Sequence, residues 1–232
     1  MARSRPSAPW TRIGVILALL FPLTAGVSLP APKLGLHAQE PSSILERAAA
    51  QHEVLDSFCA DFRQEIEVTL LRETMQSRGE LCQARSDRFD MRWTHPPGDR
   101  IVADGMDLWV YYPSTDDGQA FRTRLAGTEG RFDLHHEFLS DPGERYAAEL
   151  EGDDTVGGLD AWVLSLTPRV PSPYLHARVW IDKEQYLIRK LVIREESESI
   201  RTVELSGIRL NPVLSAERFQ FVAPAGVQVI TR

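Results

Sequence analysis

The segment "RFDMRWTHPPGDRIVADGMDLWVYYPS", Arg88–Ser114, decides the fold class. Phe89, Met91 and Trp93 occupy alternate positions, as do Trp109 and Tyr111, and "PPGD" and "DG" lie between the two runs. A period of two places each run on one face of a strand, and Pro-Gly and Asp-Gly pairs mark tight reversals. The stretch therefore predicts antiparallel strands with a strongly apolar face. Something else in the chain must cover that face.

The same alternation recurs on both sides. Upstream, Ile66, Val68 and Leu70 alternate with Glu65, Glu67 and Thr69. Downstream come Phe121–Leu125, Tyr146–Leu150, Trp162–Leu166, Ala177–Ile181, Leu187–Ile193, Val203–Leu205 and Phe219–Phe221. About ten strands separated by turn residues predict a mainly β protein with some α: a strongly curved antiparallel sheet forming an incomplete, open β-barrel. Two segments break the rhythm. "SSILERAAAQHEVLDSFCADFRQEI", from Ser42, has apolar residues at steps of three and four and predicts one long amphipathic helix, with Ser42 or Ser43 as N-cap and Glu46 near the capping-box position. Between Gly127 and Glu149, Phe132, His135 or His136, and Leu139 fall at helical steps, with Pro142-Gly143 as a stop. These two helices are the available cover for the concave face.

At the N-terminus, Arg3, Arg5 and Arg12 precede the apolar run Ile13–Ala25, and the first acidic residue is Glu40. This is the pattern of a secretory signal peptide, and Pro22 cuts the run short of a membrane span. Cleavage is expected after Ala38, with Ala25 as the other position, leaving residues 39–232 as a single domain. The 232-residue chain carries 26 basic and 33 acidic residues. Cleavage after Ala38 removes four basic residues and no acidic one, for a formal charge near −11. Such a balance argues against nucleic acid as a partner and favours solubility.

No nucleophile elbow, phosphate-binding loop, dinucleotide fingerprint or zincin motif is present, so no catalytic residue, cofactor or metal ligand is nominated. His135 and His136 point in different directions on a helix or a strand and suit surface or interface roles. Cys59 and Cys82 are either a bridge from the first helix to an early strand, as export would permit, or two buried thiols. A metal site would need further ligands. The apolar concave face has two readings as well: a solid core filled by the two helices, or an under-filled cavity for an apolar ligand.

Four stretches resemble the LolA-type outer-membrane lipoprotein carriers. "SFCADFRQEI" is similar to the family's Ser-Phe and Phe-x-Gln ending of the first helix, through Phe58, Phe62 and Gln64. "GELCQARSDRFDMRW" resembles its Gly, Arg-Pro and Phe/Arg-Trp strand, with Arg85-Ser86 in place of Arg-Pro. "ADGMDLWVYYP" is similar to its Asp-Gly-x-x-Leu-Trp-x-Tyr-x-Pro hairpin, and "RFQFVAPAGVQVI" to its closing strand. The resemblance implies an exported, monomeric periplasmic protein whose helices act as a lid over a cavity for lipoprotein acyl chains. It implies loading by an inner-membrane ABC-type transporter and delivery to an outer-membrane acceptor, LolB-like or unknown. Walls and lid contacts would come from Phe89, Met91, Trp93, Trp109, Tyr111, Phe132, Leu134 and Leu139. Arg85 would hydrogen-bond lid carbonyls in the closed, empty state, and the cysteine pair would be an addition to the family pattern. An envelope-stress regulator, or a carrier of another lipid, on the same fold is the alternative.

Overall fold

In a computed structural model of the chain, the stretch from Arg88 to Tyr111 forms three neighbouring strands rather than two. Residues 40–85, 87–125 and 134–232 are described, the side chain of Leu134 excepted. The expected signal peptide, Phe132 and Ser86 lie outside them. In order, the elements are α1 (Pro41–Glu53), β1 (Ser57–Val68), β2 (Glu73–Ala84), β3 (Arg88–His95), β4 (Pro97–Asp104), β5 (Asp107–Tyr111), β6 (Gln119–Arg124), α2 (Leu134–Leu139), α3 (Pro142–Arg145), β7 (Tyr146–Val156), β8 (Leu159–Pro168), β9 (Tyr174–Asp182), β10 (Ile188–Glu195), β11 (Ile200–Leu210) and β12 (Gln228–Thr231).

Among the described residues, twelve strands make one curved sheet in the order β12-β6-β5-β4-β3-β2-β1-β11-β10-β9-β8-β7. It does not close into a barrel, so β12 and β7 are its free edges. Every pairing is antiparallel except β12 with β6. Three strands, β2, β4 and β12, are not among those that alternation reveals. β4 buries Val102 on one face and Ala103 on the other, and the outer half of β2 is exposed on both faces, so neither shows period two.

Three expectations need correction. The first helix ends at Glu53, and "SFCADFRQEI" is strand β1. Phe58, Ala60, Phe62 and Gln64 share the inner face while Cys59 is buried on the outer one. Burial on both faces mimics a helical spacing, and pairing with β2 and β11 settles it. The helix starts earlier too: Glu40 is the N-cap with Pro41 at the first helical position, where a missing N–H costs nothing. Second, Pro142-Gly143 starts α3 instead of stopping a helix, for the same reason. Third, Phe219 ends a 3-10 turn, Ala216–Phe219, and the closing strand comes later as β12.

Inner and outer faces have different covers. The inner face packs against Ile44, Leu45 and Ala48 of α1 and Phe138 and Leu139 of α2 in one core with β1, β3 and β8–β11. Phe62 lies edge-on to Trp93, with ring centroids 5.4 Å apart, because Gly79 makes room. A Cβ on Gly79 would meet Arg92 O at 1.9 Å and Phe62 Cε1 at 2.8 Å. The outer face is crossed by the segment after β11, whose 3-10 turn packs on β3 and β4 and buries Phe219. Cys59 and Cys82, directly opposed on β1 and β2, form a disulfide on this side. The bridge therefore joins two strands, not a helix and a strand.

Candidate functional site: the helix-covered inner face

Register separates the proposed wall residues into two groups. Phe89 and Met91 pair with Ala103 and Ile101, which pair in turn with Leu108 and Val110. Trp109 and Tyr111 instead pair with Val102 and Arg100, opposite Asp90 and Arg92. They lie on the outer face, where both rings pack on Phe221 and Arg122 sits over Trp109 at 5.1 Å. Trp109 and Tyr111 are thus not inner walls. Two runs on neighbouring hairpin strands looked alike because a covered outer face is as apolar as a covered inner one. Phe89, Met91, Trp93 and Leu139 are together on the inner side, each less than a tenth exposed. The helices fill the face against which these residues lie.

Among the described residues, the polar contacts that tie the helices to the sheet gather mainly at two points. In α2, Glu137 is buried between two floor tyrosines. Tyr174 Oη lies 2.7 Å from Glu137 Oε1, Tyr146 Oη 2.8 Å from the Glu137 carbonyl, and the two phenols 2.6 Å apart. Arg145 Nη2 donates to the same carboxylate at 2.9 Å. Burial, with the charge of Glu137 added, pushes Tyr146 up to about 12. Burial and the hydrogen bonds to Tyr146 and Glu137 push Tyr174 higher still. Both phenols therefore stay protonated donors. Phe138 fills the space beside the same tyrosine rings.

The second point joins α1 to α2 and to the sheet. His52 and His135 stack with centroids 4.5 Å apart, and Phe58 meets His135 edge-on. Burial, with the neighbouring His52 charge, holds the His135 pKa well below its usual 6.5. His135 is thus an interior ring, not a surface one, while His136 is exposed and lies 3.1 Å from Ser140 Oγ. Arg85, just beyond β2, donates from Nη2 to the Glu53 carbonyl at 2.7 Å and from Nε to Asp56 at 2.8 Å. That carbonyl belongs to the last turn of α1, where orphan carbonyls need donors. On the far side Arg47 reaches Tyr186 Oη at 2.8 Å.

Glu137, Tyr146, Tyr174 and His52 are not singled out by the sequence. Their partners lie 9, 37 or more positions away, and only the curvature that brings β7 and β9 under α2 makes them a group. Outside α2, a pocket of about 340 Å³ is bounded by His136, Glu137, Ser140, Arg145 and Val170–Pro173. Among the described residues, no group of three or more His, Cys, Asp or Glu could hold a metal ion, and no helix is long and apolar enough to cross a membrane.

This architecture has known counterparts. A family model described as outer membrane lipoprotein carrier protein LolA matches residues 53–132, and another, described only as an uncharacterized protein, matches residues 98–212. An outer-membrane lipoprotein carrier protein of Chromohalobacter salexigens is 26% identical over 215 residues, 92% of this chain and 97% of the relative. Over most of its length the chain is thus similar to LolA-type lipoprotein carriers. An outer-membrane lipoprotein carrier protein of Aeromonas salmonicida is 24% identical over 74% of this chain and 81% of its own. Among solved structures, an uncharacterized conserved protein of Thermus thermophilus superposes with a TM-score of 0.55 at 14% identity, covering 82% of this chain and 98% of that one. The MucA/MucB complex of Pseudomonas aeruginosa gives 0.50 at 20% identity, over 83% of this chain and 64% of that one. Both likenesses are of fold alone, and the fold is shared by proteins with different names.

Proposed function

We propose that this chain is a LolA-type periplasmic carrier, exported by a leader over residues 1–38, that shields the acyl chains of lipoproteins between the inner and outer membranes. The observation that carries it is the inner face: an apolar wall on an unclosed sheet, covered by two helices rather than by a second sheet. Burying an acyl chain contributes about 0.8 kcal/mol per methylene, so a carrier needs a wall of this kind, and a cover that leaves, to compete with a bilayer. Phe89, Met91, Trp93 and Leu139 would be its first contacts, joined by Phe132 and Leu134. Ring and thioether surfaces adapt to chains of different shape. Arg85 would act as the catch, because its bond to the Glu53 carbonyl exists only while α1 is closed. The chain's similarity to outer-membrane lipoprotein carrier proteins supports lipoprotein cargo. An ABC-type releasing transporter and an outer-membrane acceptor complete the proposed route.

The test mixes the purified protein with inner-membrane vesicles that carry a labelled lipoprotein and an ATP-driven releasing transporter. Label should appear in a soluble complex, and a fluorescent fatty acid should bind the protein alone. If neither occurs, the inner face is a solid core and the carrier reading falls. Recovery of a regulatory peptide instead of lipoprotein would favour the regulator alternative.

A further inference from the structure

The longest hairpin of the sheet ends in apolar residues that the carrier reading does not use. β1 and β2 pair without a break from Ser57 with Ala84 to Val68 with Glu73. The neighbour of β2 on its other side, β3, reaches only to the pair Arg78 with His95. Residues Glu73–Ser77 therefore extend past β3 with β1 alone beside them, while β11 accompanies β1 as far as the pair Glu67 with Ile200. At the tip Leu70 is 84% and Leu71 66% exposed, and Met75, on the inner face opposite Ile66, is 52% exposed. Thr69 Oγ1 donates to the Glu198 carbonyl at 2.7 Å, which braces the base of the loop against the turn between β10 and β11. The two leucines are thus presented rather than folded back.

The turn chemistry is the second observation. Arg72 has φ 55°, a left-handed conformation that Gly, Asn or Asp would adopt at less cost. Loop tips with polar residues are the rule, and a Leu-Leu-Arg tip breaks it on two counts without a gain in packing. Among the described residues Arg72 makes no ion pair, so its guanidinium is available beside the leucines. Three side chains on a convex tip offer far less than the roughly 800 Å² per partner that a stable protein interface buries. A bilayer sets no such minimum and accepts a convex, apolar probe with a cation at its rim.

We infer that the tip of the β1–β2 hairpin, Leu70, Leu71 and Arg72 with Met75 behind them, docks the protein on a lipid bilayer, the leucines entering the interface and Arg72 meeting lipid phosphates. The inference rests on the carrier reading, for which contact with a membrane gives the tip its purpose. Between the tip and the core lies one polar row, in which Gln64 Nε2 donates to Ser77 Oγ at 3.2 Å and Arg201 Nη1 to Gln64 Oε1 at 3.3 Å. The docking patch and the acyl-binding wall are therefore separate surfaces and can be broken separately.

The experiment is flotation of the whole mature chain with vesicles of phosphatidylethanolamine and phosphatidylglycerol, alongside binding of a fluorescent fatty acid in the absence of vesicles. The native protein should float, and the double variant Leu70→Glu, Leu71→Glu should float at least about tenfold less while binding the fatty acid equally. Arg72→Glu should weaken flotation on these anionic vesicles more than on phosphatidylcholine alone. A native protein that does not float, or a double variant that floats as well as native, overturns the inference. If the native protein floats but takes up no fatty acid, the docking tip survives and the carrier reading does not.

Discussion

The two faces of the sheet are covered in opposite ways. On the outer face, the segment after β11 is clasped by charges around Asp90, which is fully buried. Arg100 Nε lies 2.8 Å from one Asp90 oxygen, and Arg92 Nε at 2.7 Å and Arg218 Nε at 3.1 Å from the other. Arg100 Nη2 also donates to the Arg218 carbonyl at 2.7 Å, and Arg218 and Arg209 both reach Glu80. The disulfide lies on the same side and closes a 23-residue separation, worth about 3 kcal/mol on a loop-closure account. On the inner face the cover is apolar contact plus the Glu137 cluster, a histidine stack and the exposed Arg85 tie. The outer cover is held by buried charge and a covalent bridge, and the inner one is the cover that the proposed carrier function requires to be displaced.

That contrast predicts a large effect outside. Asp90→Asn leaves three guanidinium groups facing a neutral amide, and breaking a buried ion cluster from one side costs about 3–5 kcal/mol. Urea unfolding should show a loss of that size, whereas fatty-acid uptake by the fraction that remains folded should be unchanged. A loss below about 1 kcal/mol would mean that the outer cover is no firmer than the inner one.

The same contrast explains what the sequence discloses. The apolar alternation of Phe89, Met91 and Trp93 names an inner face correctly, because these residues see the core from one side only. It also names Trp109 and Tyr111, which have their own cover in Phe221, more than a hundred positions later. Period two says that a face is covered and is silent on which face. The spacing of Leu55, Phe58, Cys59 and Phe62 suits a helix as well as a strand buried on both sides, so the end of α1 is not legible without β2 and β11. The family motifs survive both errors, since they depend on order and residue type rather than on face. Glu137 is hidden for a different reason. Its partners Tyr146 and Tyr174 meet it only in three dimensions.

An intermediate effect is expected where α1 meets α2. The His135 ring is neutral in the folded state, with its pKa held well below 6.5 by burial and by His52. The unfolded chain takes up a proton near pH 6.5, and the folded chain does so only at lower pH. The stability this supplies is complete above about pH 6.5 and is lost progressively as the pH falls from there toward the folded-state pKa. Urea midpoints measured above and below about pH 6.5 should therefore fall on acidification. His135→Phe, which keeps a ring and removes the titration, should flatten that fall. An unchanged slope would place the acid sensitivity elsewhere.

The smallest effect on stability, and the sharpest on exchange, is expected at Arg85. Its side chain is 55% exposed and that of Asp56 81%, so the pair contributes at most about 1 kcal/mol in water. The bond to the Glu53 carbonyl has a different consequence, because it exists only with α1 in place and so favours the closed state over any ligand that displaces the helix. Arg85→Leu should leave the urea midpoint within about 1 kcal/mol of native and slow the release of a bound fatty acid or lipoprotein several-fold. Arg85→Lys keeps a cation but cannot reach Asp56 and the carbonyl with one planar fork, so it should fall between the two. Equal release rates for native and leucine proteins would remove the catch from the proposal and leave the covering helices held by apolar packing, the His135 and Glu137 clusters and the Arg47 bond to Tyr186.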